Sequence, residues 1–137
     1  MNKMNFTRWS ALFSVLFVTQ GFGQVEPPDY IQVKNWPSLP NDFKLGQVTG
    51  VAVDAGSRVY VFHRSDRTWT NPFPTEPISG QTIAVFDAKT GRLLSTLGNQ
   101  TFIMPHGLSV DNKGLLWLTD VGSHQVLKID PQSGKVL

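Results

Sequence analysis

Phe102-Ile103-Met104-Pro105-His106-Gly107-Leu108-Ser109-Val110-Asp111 begins apolar, passes through a Pro-His-Gly step and runs into a short strand that an aspartate closes. The same grammar occurs earlier. Gly46-Gln47-Val48-Thr49-Gly50-Val51-Ala52-Val53-Asp54 overlays it, with Gly50 on Gly107 and Thr49 on His106. The match continues through a turn of equal length into a second strand, where Val59-Tyr60-Val61-Phe62 falls on Leu116-Trp117-Leu118-Thr119. A repeat with threonine in one copy and imidazole in the other uses one scaffold to mount a specific group. His106 is the strongest metal-ligand candidate in the chain.

The later half of the unit repeats too. Thr82 to Leu94 overlays Gln125 to Leu137, with Val85-Phe86-Asp87 over Lys128-Ile129-Asp130 and Gly91 over Gly134. This second overlay has a shorter offset than the first, and the segment Thr68 to Gln81, a loop that only the first unit carries, accounts for the whole difference. Four turns share one chemistry: Asp54-Ala55-Gly56-Ser57, Asp87-Ala88-Lys89-Thr90-Gly91, Asp111-Asn112-Lys113-Gly114 and Asp130-Pro131-Gln132-Ser133-Gly134. In each, an aspartate can accept from its own following backbone and a glycine can take positive φ, as compact hairpin loops require. The strands between them, Arg58 to Phe62, Thr82 to Phe86 and Leu115 to Thr119, are apolar on both faces, which predicts sheets packed on each side.

A four-stranded antiparallel unit repeating at about 43 residues has the period of a β-propeller blade, so the fold class is all-β. The marks Gly98, Phe102, Pro105 to Asp111 and Thr119-Asp120 resemble the NHL repeat, a short blade type. Residues 46–97 and 98–137 supply about two blades, whereas repeat folds need at least three units. The chain is therefore expected to be the front of a longer one. Taken alone, two blades would leave open apolar faces around Val59, Val61, Leu116 and Leu118.

Residues 1–23 read as an export signal, with Lys3 and Arg8 before the apolar run Trp9 to Val18 and a small-x-small site at Gly21-Phe22-Gly23. The expected destination is secreted or periplasmic. The apolar run is too short to span a bilayer, which takes about 20 residues, so no integral span is expected once the signal is cleaved. Removing the signal leaves 10 Lys and Arg against 10 Asp and Glu, with no basic cluster. That excludes nucleic acid as an expected partner. The absence of cysteine removes disulfides, thiolate metal sites and a Cys nucleophile. Residues 24–45 form a proline-rich extended lead-in, in which Tyr30 to Val33 alternates like a short strand and Trp36-Pro37-Ser38-Leu39-Pro40 reads as an apolar clasp lying on the domain.

Longer motifs carry a more specific likeness. Trp36 to Pro40, Leu45 to Asp54, Phe62-His63-Arg64-Ser65-Asp66-Arg67-Thr68-Trp69, Met104 to Leu108 and Trp117 to Val126 closely resemble the peptidyl-α-hydroxyglycine α-amidating lyases, over nearly all of the chain after the signal. The resemblance implies a six-bladed propeller with catalytic zinc held by three histidines and a structural calcium deeper in the channel. It implies cleavage of the C–N bond of a peptidyl-α-hydroxyglycine to a peptide amide and glyoxylate. It places His106 on a zinc histidine, Arg64 on a catalytic arginine that contacts substrate, and Val51 and Leu108 on positions whose backbone carbonyls hold calcium. The family's other two zinc histidines, its catalytic tyrosine and a second arginine belong to later blades, outside this sequence.

Read without that likeness, His106 is a hydrogen-bonded structural histidine and Arg64 a strand-end cation beside Asp66. His63 and His124 are expected to be structural, and Asp120 a loop-capping acceptor. Two other function classes stay open: a non-catalytic NHL propeller that binds at the cell surface, and a lactone-cleaving propeller hydrolase. The latter would need carboxylate metal ligands that these residues do not supply in the channel.

Overall fold

Seven strands follow from the alternation. β1 (Val48–Val53), β2 (Arg58–His63), β3 (Ile83–Asp87) and β4 (Leu93–Leu97) form one antiparallel sheet in chain order; β5 (Pro105–Val110), β6 (Leu116–Asp120) and β7 (Gln125–Ile129) form a second. The protein is seen in a computed structural model that describes residues 29–137, so the expected export signal and the start of the lead-in lie outside the described residues. No helix forms among the described residues. The fold is all-β, two successive antiparallel sheets of propeller-blade topology, as the repeat predicts. At the place of a fourth strand, the second sheet carries a single bridge between Ile129 and Val136.

Period-2 alternation on β2 and β3 divides the core in two. Tyr60, Phe62, Ile83 and Val85 face the second sheet and pack with Phe102, Leu116, Leu118 and Ile129. Phe62 meets Phe102 edge-on, with ring centroids 4.8 Å apart. Val59, Val61, Ala84 and Phe86 point the other way and pack against Trp36, Phe43 and Leu45 of the lead-in. Each large apolar side chain so buried is worth roughly 1.5–3 kcal/mol.

The open apolar faces expected around Val59, Val61, Leu116 and Leu118 are thus closed. The lead-in covers the first pair and the neighbouring sheet covers the second. The clasp is real: Trp36 Nε1 donates to the Ala88 carbonyl at 3.1 Å, its ring lies 6.0 Å from Phe86, and Ser38 bridges Arg92. Gly91 permits the contact, since at φ 72° a Cβ there would lie 2.9 Å from Trp36 Cδ1.

Two expectations need correction. No strand forms over residues 30–33; the chain instead turns at Lys34-Asn35, with Asn35 at φ 58°, before a ladder partner is met. β6 is also not buried on both faces. Leu116 and Leu118 face the first sheet, whereas Trp117 on the opposite face is 42% exposed because no described sheet packs there.

Turn aspartates act as their spacing suggests. Asp54 accepts the N–H groups of Gly56 and Arg58, and Asp111 those of Lys113 and Leu115, the same positions one repeat on. The Leu115 amide and then the Trp117 indole hold the Asp111 carboxyl below its ordinary pKa. These carboxylates organise hairpins.

Candidate functional site

The inner strands β1 and β5 each start with a β-bulge. Val48 pairs with His63 but Gly50 with Phe62, and Pro105 pairs with Asp120 but Gly107 with Thr119, so Thr49 and His106 are the extra residues at equivalent points. A bulge bends the strand and re-aims the side chain at that position. Beside it, Thr119 Oγ1 accepts the Gly107 N–H at 2.8 Å. Pro105 is buried and anchors the strand start, while His106 is exposed and no hydrogen bond among the described residues engages its imidazole.

Arg64 follows the end of β2 and reaches across to this point. Its Nε donates to the Pro105 carbonyl at 3.1 Å, and one terminal nitrogen donates to Gln47 Oε1 at 3.2 Å. The same Gln47 oxygen accepts the Trp69 indole N–H at 3.1 Å, and the Trp69 ring lies under the guanidinium at 5.0 Å. Arg64 is therefore held by a carbonyl, an amide and an aromatic face, leaving guanidinium donors free for an anion. Because Pro105 is covalently joined to His106, this clamp brings Arg64 and His106 to one rim of the fold.

Val51 and Leu108 are also brought together by equivalent places on β1 and β5. A Cβ built on Gly50 would lie 2.8 Å from Leu108 Cβ and 2.9 Å from its amide nitrogen, so the two inner strands touch there only because Gly50 has no side chain. Both strands are sheet edges. Edge strands in contact present backbone carbonyls of the kind a hard cation takes.

For zinc, the donor chemistry fits in part. His106 offers an exposed imidazole at the bulged start of β5, one donor where a catalytic zinc site takes three protein ligands. No group of three His, Cys, Asp or Glu side chains able to hold a metal occurs among the described residues.

His63 and Asp120 are structural, in keeping with their sequence reading. His63 is buried, accepts the N–H groups of Gly46 (3.3 Å) and Ser65 (3.0 Å) on Nδ1, and burial pushes its pKa down. Asp120 is buried and accepts from Ile103, Met104 and Gly122 at 2.6–3.0 Å. His124 sits at φ 56° in the β6–β7 turn and lines a hollow on the same side as Val121. The roles of Gln47 and Trp69, and the bulge beneath His106, escape sequence reasoning. The overlay that sets His106 over Thr49 is the signal that would have pointed to the bulge, since both residues follow the same break in register.

Comparison with known proteins bears on this arrangement. Residues 102–129 match the NHL repeat. The chain is 44% identical, over 80% of its length, to peptidyl-alpha-hydroxyglycine alpha-amidating lyase 2 of Drosophila melanogaster, of which it covers 29%. The chain is a relative of the peptidyl-α-hydroxyglycine α-amidating lyases. It is also 38% identical over 69% of its length to a probable lyase of this kind from Caenorhabditis elegans, covering 29% of it, and 37% identical over 90% to peptidylglycine alpha-amidating monooxygenase of Rattus norvegicus, covering 14%. The chain thus spans less than a third of the length of these amidating relatives. Among its described residues no helix is long and apolar enough to cross a membrane.

Proposed function

We propose that these residues are part of an exported C–N lyase that converts a peptidyl-α-hydroxyglycine to a peptide amide and glyoxylate. The observation that carries the reading is the Arg64 clamp on Pro105, which sets a guanidinium beside the bulged, unengaged His106. The amidating relatives support it through their names.

In the reaction the hydroxyl O–H bond breaks and its electron pair becomes the second bond of the glyoxylate carbonyl. The C–N bond breaks in turn, and the amide nitrogen keeps that pair and takes a proton. Arg64, fixed by Gln47 and Trp69, binds the carboxylate that becomes glyoxylate's and holds the scissile carbon in place. Its positive charge also stabilises negative charge gathering on oxygen as the C–N bond opens. His106 would hold zinc with ligands from outside the described residues, and the Val51 and Leu108 carbonyls would hold calcium between the inner strands. Zinc, when bound, supplies Lewis acidity toward oxygen.

The test is glyoxylate release from a synthetic N-acylated peptidyl-α-hydroxyglycine by the full-length protein that contains these residues, with elemental analysis for zinc and calcium. Glyoxylate formed in step with peptide amide is the expected outcome. A zinc-free protein that releases none would sink the reading and favour a non-catalytic binding propeller.

A further inference from the structure

The loop of the first unit, residues 68–81, has no counterpart in the second, yet it is firmly held. Arg67 donates to the Glu76 carbonyl at 2.6 Å and to its carboxylate at 3.3 Å, while Ile78 is buried and its backbone N–H and C=O bond Phe102 and Gln100 at 2.7 and 2.9 Å. Between these anchors the loop arches over the second unit. There Phe73, Pro74 and Thr75 close one side of a hollow of about 350 Å³ whose other side is Met104, Val121 and His124. That volume falls within the range of ligand pockets, roughly 300–1,000 Å³.

The hollow adjoins the site described above. Met104 lies just ahead of Pro105 and His106, and Val121 occupies in the second unit the position that Arg64 occupies in the first. Phe73 lies edge-on to Trp69 at 6.1 Å, and Trp69 lies under Arg64 at 5.0 Å. An extended chain advances roughly 3.3–3.6 Å per residue, so a molecule whose carboxylate rests on Arg64 reaches this wall with the side chain one residue before its end. Phe73, Pro74, Met104 and Val121 make the lining mostly apolar, with Thr75 and His124 its two polar side chains. A charged side chain there would give up its water against a mostly apolar wall with only Thr75 and His124 to meet it, whereas an aromatic or aliphatic one would bury apolar area against a phenyl ring and an adaptable thioether.

We infer that this hollow is the subsite for an apolar side chain on the residue that precedes the α-hydroxyglycine, and that the loop of residues 68–81 sets this preference. The inference rests on the lyase reading and names its substrate class.

The experiment uses the full-length protein and two substrates, N-acetyl-Phe-α-hydroxyglycine and N-acetyl-Gly-α-hydroxyglycine. It compares kcat/KM for glyoxylate release, and calorimetry measures binding of the two product amides. The phenylalanine substrate is expected to be favoured at least about tenfold, the lower end of what a hydrophobic pocket gives. Phe73→Ala, which opens the wall, and Thr75→Trp, which fills the hollow, should each bring that ratio to within about threefold of unity, while Leu94→Ala on the exposed β4 keeps it. Equal kcat/KM for the two substrates, or a ratio unmoved by both loop variants, would overturn the subsite and leave the lyase reading intact. If neither substrate yields glyoxylate, the lyase reading falls. In that case a retained preference for the phenylalanine amide that both variants abolish upholds the apolar pocket, and equal binding overturns it as well.

Discussion

His63 and Asp120 stand one repeat apart at equivalent ends of β2 and β6 and accept equivalent backbone N–H groups with different side chains. His63 Nδ1 takes the N–H of Gly46 and Ser65; Asp120 takes those of Ile103 and Gly122, the same two positions one repeat later, and adds Met104. An acceptor at this point ties the entry to the inner strand to the exit from the middle one. In the second unit that entry leads directly to Pro105 and His106, so Asp120 supports the site without touching it.

Removing the acceptor strands the donors. Asp120→Ala should cost about 2–4 kcal/mol, since several N–H groups lose a charged partner at once. Asp120→Asn, which keeps one acceptor oxygen, should cost less. Urea denaturation of the full-length protein compares the two, and equal midpoints for Asp120→Ala and the parent would refute the role.

How far the sequence carried depends on range. The turn aspartates, the strand alternation and the overlay of Gly50 on Gly107 are local or periodic, and each was legible in residue order. The bulge at His106 depends on which residue of β6 faces which of β5, and no single strand holds that information. The Gln47, Arg64 and Trp69 cluster joins distant residues through a shared amide oxygen, which composition does not encode. Val59 and Val61 looked like an open face because Trp36, Phe43 and Leu45 bury them only through tertiary fit. The Tyr30 to Val33 alternation was a true local signal without a ladder to join.

His63 makes stability depend on pH. Burial lowers its pKa from the ordinary 6.5, and its Nδ1 must stay unprotonated to accept two N–H groups. Below pH 6.5 the unfolded chain binds more protons than the native one. The His63 contribution is therefore fully present above that pH and is lost as pH falls through the depressed native value. Melting temperatures of parent and His63→Asn should converge between pH 7.5 and about 5. A constant gap across that window would contradict the assignment.

The clasp should be energetically separate from the site. Trp36→Ala uncovers Phe86 and leaves the Ala88 carbonyl without its indole partner, at a cost of about 2–4 kcal/mol. Gly91→Ala should cost a similar amount through its φ and the clash with Trp36. Both variants should keep metal content and turnover below their lowered melting points. A loss of zinc in either, at a temperature where the fold persists, would show that the lead-in governs the site.

Metal holding and charge stabilisation should come apart under mutation. His106→Ala is expected to lose zinc and turnover together, because it removes one of the few donors the site has. Thr49→Ala, at the equivalent bulge, should leave zinc content unchanged, since a hydroxyl is a poor zinc donor. Arg64→Ala should keep zinc and lower kcat on the order of 10²–10³-fold, the usual cost of removing one group that stabilises developing charge. Gln47→Ala leaves Arg64 present but releases it from the amide oxygen shared with Trp69, so it should lower kcat/KM by a smaller factor, about threefold to tenfold, with zinc intact. Elemental analysis beside glyoxylate release reads all four. Should His106→Ala retain full zinc and full turnover, the exposed imidazole on the bulge would have no part in the chemistry, and the Arg64 clamp would be left without a metal to serve.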